Sequence, residues 1–364
     1  MSNVKTKPAK KLTKSTTDSL INYGIVIVLY IIMMIMQATG NLSSSMKGFL
    51  VPVCIYVIMA VSLNLVVGIL GELSLGHAGF MCVGAYTSAI FSKLTESTIT
   101  AAPLRFTLAI LVGAFFAAVF GILIGIPVLR LKGDYLAIVT LAFGEIIKNV
   151  VNIINFGVDS NGWHFSTKST MELGLEADGN VIIKGAQGIS GTPKDANFTV
   201  GVILVLLTLF IVQNLIKSRD GRAIMAIRDN RIAAESVGIN ITKYKMMAFV
   251  TSAVLAGMAG ALYGLNFSTV AASKFKFDTS ILVLVFVVLG GIGSIRGSII
   301  AATLLTILPE VLRAFSDYRM LVYAVVLILV MLATNSPFLS VRLQRVKALL
   351  RRGKTNPGKE GEAA

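Results

Sequence analysis

The sequence predicts an all-α fold, a polytopic transmembrane helical bundle of about eight to ten spans with Gly-interrupted helices. Three observations carry this expectation. Of 364 residues, 55% are hydrophobic and only 14% are charged, whereas a water-exposed domain carries about a quarter charged residues. The apolar residues gather in runs of about 20, the length that crosses a hydrocarbon core of about 30 Å. Lys and Arg outnumber Asp and Glu by 33 to 18, and the surplus lies between alternate runs. A single water-exposed globule is therefore disfavoured.

Taken in order, residues 1–19 form a basic tail with lysines at positions 5, 7, 10, 11 and 14. The run 20–39 follows, which is also how a secretory signal peptide begins. It is long for a signal, and Ala38, Thr39 and Gly40 make a loose cleavage site, so it reads as a retained first span. Runs 48–70, 104–129, 198–216, 245–270 and 319–335 are free or almost free of interior charge. Segments 74–92, 135–156 and 280–312 are apolar but marked by Gly or polar residues. Gly290, Gly291, Gly293 and Gly297 divide the last. Counted as two crossings it brings the total to ten; a re-entrant piece would lower it. Residues 336–364 form a second basic tail, expected to be disordered.

Short cytoplasmic loops hold the excess of Lys and Arg. With the N-terminus inside and ten crossings, the inner side receives both tails, 130–134, 217–245 and Arg296. Almost the whole net charge of +15 then falls on that side. The reading is a multi-pass protein of the inner (plasma) membrane with both termini cytoplasmic and lipid as its surroundings. The positive charge is topological, and no nucleic-acid partner is expected. The outer loop 157–197, with Trp163, His164 and a GAQGISGTP stretch, is long enough for a small cap without a core of its own.

The chemistry of soluble enzymes is hard to find. Cys54 and Cys82 lie in apolar runs, and His77 and His164 are the only histidines, which leaves little for a disulfide scaffold or a His-built metal site. The nearest match to a phosphate-binding loop ends in Gly353-Lys354-Thr355, but position 348 is Ala where that loop needs Gly. No nucleophile elbow or HExxH occurs. No catalytic residue, metal site or bound cofactor is expected.

Four features remain. Residues 221–238 read as one amphipathic helix, with Ala and Ile recurring among Arg222, Arg228, Arg231 and Glu235, and with Gly238 as a stop. It fits either a groove on a cytoplasmic partner or a bed of lipid head groups. Glu145, Lys148, Asn149 and Asn152 share one helix face. Ionisable residues halfway across a membrane face the bundle interior or a water path, so this face is a wall of the route or a polar glue between helices. Gly121 with Gly125, and Gly260 with Gly264, are spaced for close helix packing. Finally, Gly68 to Gly79, which includes Ser74 and His77, and Gly290 to Gly297 interrupt two spans, and paired breaks in two halves point to a transporter's binding region. His77, flanked by Asn64 and Tyr86, is either a gating or substrate group or a packed, hydrogen-bonded residue. The candidate path is Asn64, Ser74, His77, Tyr86, Glu145 and Asn149.

The blocks LNLVVGILGELSLGHAGFMCVGAYTSAI (63–90), LRLKGDYLAIVTLAFGEIIKNVV (129–151), GRAIMAIRDNRIAAESVGINITKYK (221–245) and VFVVLGGIGSIRGSIIAA (285–302) resemble the LivM-type permeases of high-affinity branched-chain amino acid ABC importers. The likeness runs from about residue 50 to 335 in the family's order. It implies a transmembrane permease domain over 20–335, with a sister permease of LivH type, two ATPase subunits of LivG and LivF type that use the ATP, and an extracytoplasmic binding protein. The substrates implied are Leu, Ile and Val. Permeases of the same family for urea, amides or another small solute fit the spans equally well, and an ion-coupled secondary carrier is the rival of a different class. The resemblance makes 217–245 the ATPase-coupling loop, with Arg222, Ile227, Arg228, Arg231, Ala234, Glu235 and Gly238 as contact positions. Residues Trp163 to Ile183 resemble an insertion relative to the family core.

Overall fold

The computed structural model describes residues 14–40, 43–131, 133–159, 162–175 and 179–312, with a few isolated positions beyond. The tail 1–13, most of the expected span 319–335 and the tail 336–364 lie outside the described residues. The chain divides into a unit Met1–Ile307 and a unit Leu308–Ala364. The second contributes the end of the last described helix.

Eleven α-helices are described. They are α1 (Lys14–Ala38), α2 (Ser44–Asn64), α3 (His77–Leu94), α4 (Ala102–Val128), α5 (Asp134–Ile153), α6 (Phe198–Lys217), α7 (Arg219–Asp229), α8 (Arg231–Ser236), α9 (Ile241–Gly264), α10 (Phe277–Gly290) and α11 (Ile295–Val311). A π-helical turn, Leu65–Leu70, continues α2. The protein is a polytopic helical membrane protein. Six stretches are long and apolar enough to cross a bilayer: Ser19–Ala38, Met46–Leu70, Ala102–Val128, Tyr135–Ile153, Phe198–Lys217 and Ile241–Gly264. Among the described residues the other expected segments, 74–92 and 280–312, fall on α3, α10 and α11, with 18, 14 and 17 residues. Their shortness has a cause in the backbone.

The centre of the bundle is α9, packed between α3 and α4. Its neighbours approach so closely that a Cβ on Gly260 would lie 2.0 Å from Met81 O, and one on Gly84 2.1 Å from Gly257 O. The spacing at Gly260 and Gly264 thus serves helix packing, as does Gly121, which faces Ala253. With so little side-chain bulk between them, main-chain atoms meet and dispersion acts at short range.

The helix ends sort into two polar layers. On one, Lys217 pairs with Ser19, Glu72 with Lys245, and Arg296 donates to Asn22. On the other, Arg105 holds Asp195 through two nitrogens, at 2.8 to 3.0 Å, and Lys93 Nζ donates to Val181 O and Ser190 O. These are the two groupings that alternating crossings demand.

The all-α expectation holds for the spans, but the second layer adds a sheet that hydropathy did not announce. Strands β1 (Asn155–Asp159), β2 (Gly162–Ser166), β3 (Asn180–Lys184), β4 (Ile189–Ser190) and β5 (Thr269–Val270) pair in the order β2-β1-β3-β4-β5, antiparallel throughout. Most of the 157–197 loop is therefore built into a cap. Its last strand arrives from beyond α9. Strands of two to five residues with such a distant partner leave little periodic signal.

Candidate functional site

Two spans are not continuous helices. Because α3 runs beside α9 with Met81 at Gly260 and Gly84 at Gly257, its first residue stands level with about positions 250–256, roughly 14–22 Å along α9 at 1.5 Å per residue. Glu72, by contrast, meets Lys245 near the start of α9. Residues 71–76 therefore enter the bundle without helix, and α3 continues from there. In mirror fashion, residues 265–276 descend from the sheet layer, and α10 begins where Phe277 N–H donates to Glu145 Oε1 at 3.2 Å, halfway along α5. The two helix N-termini converge: Ala78 N–H donates to Ser280 Oγ at 3.0 Å.

Non-helical backbone at membrane depth survives only where protein satisfies it. Leu75 N–H finds Thr140 Oγ1 at 3.1 Å. Gly76 passes so near α5 that a Cβ there would lie 1.9 Å from Thr140 O. The His77 ring Nε2 is 2.7 Å from Ser62 Oγ. The Ser74 hydroxyl is buried without a hydrogen-bond partner among the described residues. The result is a polar knot of Ser62, Ser74, His77, Thr140, Ser280 and Glu145, with the partly positive starts of α3 and α10 directed into it.

Of the six path candidates, Ser74, His77 and Glu145 fall in this knot. Asn64 does not: its Oδ1 accepts from Gly293 N–H at 2.8 Å and its Nδ2 donates to Ser298 Oγ at 2.9 Å. Tyr86 sits about 14 Å up α3 from His77, against Phe275. Asn149 is exposed. The two Gly breaks touch, since a Cβ on Gly68 would lie 2.3 Å from Gly293 N, but they differ in form. Gly290 to Gly297 is a tight turn between α10 and α11, where Gly290 and Gly297 touch through their backbones; the second interruption is 265–276. Serine and threonine within apolar spans were the signal for the missed Ser62, Thr140 and Ser280, but only the fold brings them together.

On α5 the expected polar face is real. Glu145 pairs with Lys148, and their side chains are 31% and 19% exposed. The stripe lies between a buried arc (Leu136, Thr140, Phe143, Ile147) and an exposed apolar arc (Tyr135, Ile138, Ile146, Val150). Charges costly in hydrocarbon are thus open on the surface of the subunit at mid-span.

The loop between α6 and α9 departs from the expected single helix. Asn230 adopts an extended backbone and caps α8 through Oδ1 to Ala233 N–H at 3.1 Å, which stops α7 one residue earlier. Ile227 and Ala234 are buried with Ile241 in a small core, so they shape the loop and do not form its outer surface. Arg222, Arg231, Glu235 and Gly238 are exposed. Gly238 has φ +83°, a left-handed stop. Hydropathy overlooked Ile232 and Val237, which stand 81% and 75% exposed on this polar loop. Arg228 is exposed as well, with 37% of its side chain open, but it lies against the end of α2: Nη1 donates to Gly68 O at 3.0 Å, while Nε and Nη2 hold Asp229. Among the described residues no cluster of three metal-ligating side chains occurs.

A family model described as branched-chain amino acid transport system / permease component matches residues 45–331. The high-affinity branched-chain amino acid transport system permease protein LivM of Salmonella typhimurium is 37% identical over 294 residues, 76% of this chain and 66% of its own length. LivM of Escherichia coli is 38% identical over 288 residues, with the same two shares. The chain thus spans a little under two thirds of these relatives. The Salmonella typhimurium permease protein LivH is 24% identical over 286 residues, 76% of this chain and 88% of its own length. No solved structure matches.

Proposed function

The chain belongs to the family of permease components of branched-chain amino acid transport systems, and from that membership we propose that it is the LivM-type subunit of an ABC importer. It conducts Leu, Ile or Val, handed over by an extracytoplasmic binding protein, and works beside a LivH-type sister. Two ATPase subunits of LivG and LivF type hydrolyse the ATP, and this chain contributes no catalytic residue, metal or cofactor site. Both termini are cytoplasmic, which places 217–245 on the ATPase side and the sheet on the side of the binding protein.

The observation that carries the reading is the half-open Glu145–Lys148 pair at mid-span. Facing lipid it would be costly; facing a second permease across a water-filled route, it lines a path that one subunit cannot close. The knot of Ser74 and His77 behind Glu145, where two helices start, suits a zwitterion: N-termini favour its carboxylate and Glu145 its ammonium group. Asn64 and Tyr86 position the breaks, and Asn149 belongs to the open stripe. Ile232 and Val237, with Arg222, Arg231 and Glu235 around them, form the docking surface for an ATPase. ATPase closure then rocks the helices to alternate access.

Reconstitution tests this. Proteoliposomes holding the chain, a sister permease and both ATPases should take up leucine only with ATP and binding protein. Uptake by this chain alone, driven by an ion gradient, would replace the proposal with a secondary carrier; ATP-driven uptake of urea but not leucine would keep the class and change the substrate.

A further inference from the structure

Although 37% of its side chain is open, Arg228 lies against the end of the broken span, an unusual contact for a residue on a loop taken to face an ATPase. Its stem lies flat on Gly71: a Cβ there would be 2.5 Å from Arg228 Cγ, at a φ of +80°. Its Nη1 reaches Gly68 O, a buried carbonyl in the π-helical turn that ends α2. The last carbonyls of a helix lack intrahelical donors and carry partial negative charge, which a guanidinium satisfies. That turn is where the non-helical 71–76 begins. Two further contacts secure the same place: Glu72 pairs with Lys245, and Gly68 packs on Gly293, whose N–H is held by Asn64. From Gly71 the chain leads in six residues to His77 and the polar knot.

We propose that Arg228 is a positioning residue that caps the broken span in trans, so that displacement of α7 is passed to residues 71–76 and to the start of α3. This rests on the reading of 217–245 as the ATPase-coupling loop and says which internal contact receives the stroke. The path has no rigid helix between loop and knot; it has one charged hydrogen bond, one flat glycine contact and a short irregular segment. A contact of this kind is bistable: the guanidinium either holds Gly68 O or only Asp229, and the break is either capped or not.

The test uses the assembled transporter in proteoliposomes with binding protein. Arg228→Gln removes the charged donor, Gly71→Ala displaces the stem, and Arg228→Lys restores a cationic donor. We expect Arg228→Gln and Gly71→Ala each to lower leucine uptake per ATP hydrolysed about ten-fold, the change from losing one charge-assisted bond, with Arg228→Lys recovering at least about half of the uptake. A second readout is independent of transport: amide hydrogen exchange over 65–76 should quicken in Arg228→Gln and Gly71→Ala and stay as in the native protein in Ile232→Asp. Ile232→Asp with Val237→Asp should instead release the ATPases. If that double variant keeps its ATPases and its uptake, the coupling-loop reading fails. If it loses them, yet Arg228→Gln and Gly71→Ala leave both the uptake-to-ATP ratio and the 65–76 exchange unchanged, the role of Arg228 is refuted while the loop keeps its own.

Discussion

Segments 71–76 and 265–276 both interrupt the α-helical crossings, yet they are held by different forces. The outer segment is tied by main-chain pairing: β5 joins the sheet through Ile189↔Val270 and Ser190↔Thr269, and Gly191 N–H donates to Ser268 O. Aromatic rings add to it, with Phe275 set against Tyr86 and Tyr263, and the nearby Arg105–Asp195 pair is bidentate and almost fully buried. Among the described residues the inner segment has no strand partner. Gly71 and Glu72 N–H close the turn onto Val66 O, and its long-range contacts come from side chains: Arg228 on Gly68, Thr140 on Leu75, Lys245 on Glu72. Backbone pairing in a sheet is cooperative and hard to exchange, whereas a side-chain bond can be made or released one at a time. The difference teaches that the outer break is braced and the inner break is adjustable.

Lesions in the two regions should therefore separate stability from transport. The largest loss of stability is expected from Phe275→Ala in the outer brace, about 3–5 kcal/mol for emptying a buried ring site, read as a fall in the thermal midpoint of the purified protein. Asp195→Ala should cost about 3 kcal/mol, because the Arg105 guanidinium is left buried and unpaired; replacing both residues by Leu should recover much of it. Either variant melting like the native protein would mean that the sheet alone braces this side.

At the knot between the breaks, Glu145→Gln should cost a smaller amount, about 1–2 kcal/mol, since the pair is partly exposed. Leucine uptake should fall well beyond what the reduced abundance explains, and full activity at native abundance would remove Glu145 from the path. Ser62→Ala sharpens the role of His77. Removal of the hydroxyl should cost about 1 kcal/mol with uptake nearly unchanged if the ring is packing, and a ten-fold fall in uptake at near-native stability would assign His77 to the route.

Much of the architecture was open to reading along the chain. Runs 104–129 and 198–216 reappear as Ala102–Val128 and Phe198–Lys217 almost residue for residue, because lipid demands long apolar helices whatever surrounds them. The split of 280–312 at Gly290 was visible too, since a glycine pair ends a helix cheaply. The interruption at Gly68 to Gly79 was legible as well, but the first residue of α3 was not: the apolar segment is expected from position 74, and Thr140 with the tight passage of Gly76, both supplied by α5, keeps 74–76 out of the helix. Likewise the polarity of Arg228 said nothing of its direction, while the burial of Ile227 and Ala234 needed Ile241 from the next helix.

Hydropathy and the placement of Lys and Arg were sufficient to determine that this is a multi-pass helical membrane protein and to sort its loops into two layers, because the cost of exposing polar groups to lipid is local and additive along the chain. Tertiary structure alone decided that two crossings are part α-helix and part irregular backbone, that their N-termini meet beside Glu145, and that Arg228 caps one of them. Those features depend on hydrogen bonds between residues as far apart as Gly68 and Arg228, and no run of neighbouring side chains encodes the partner of a buried carbonyl.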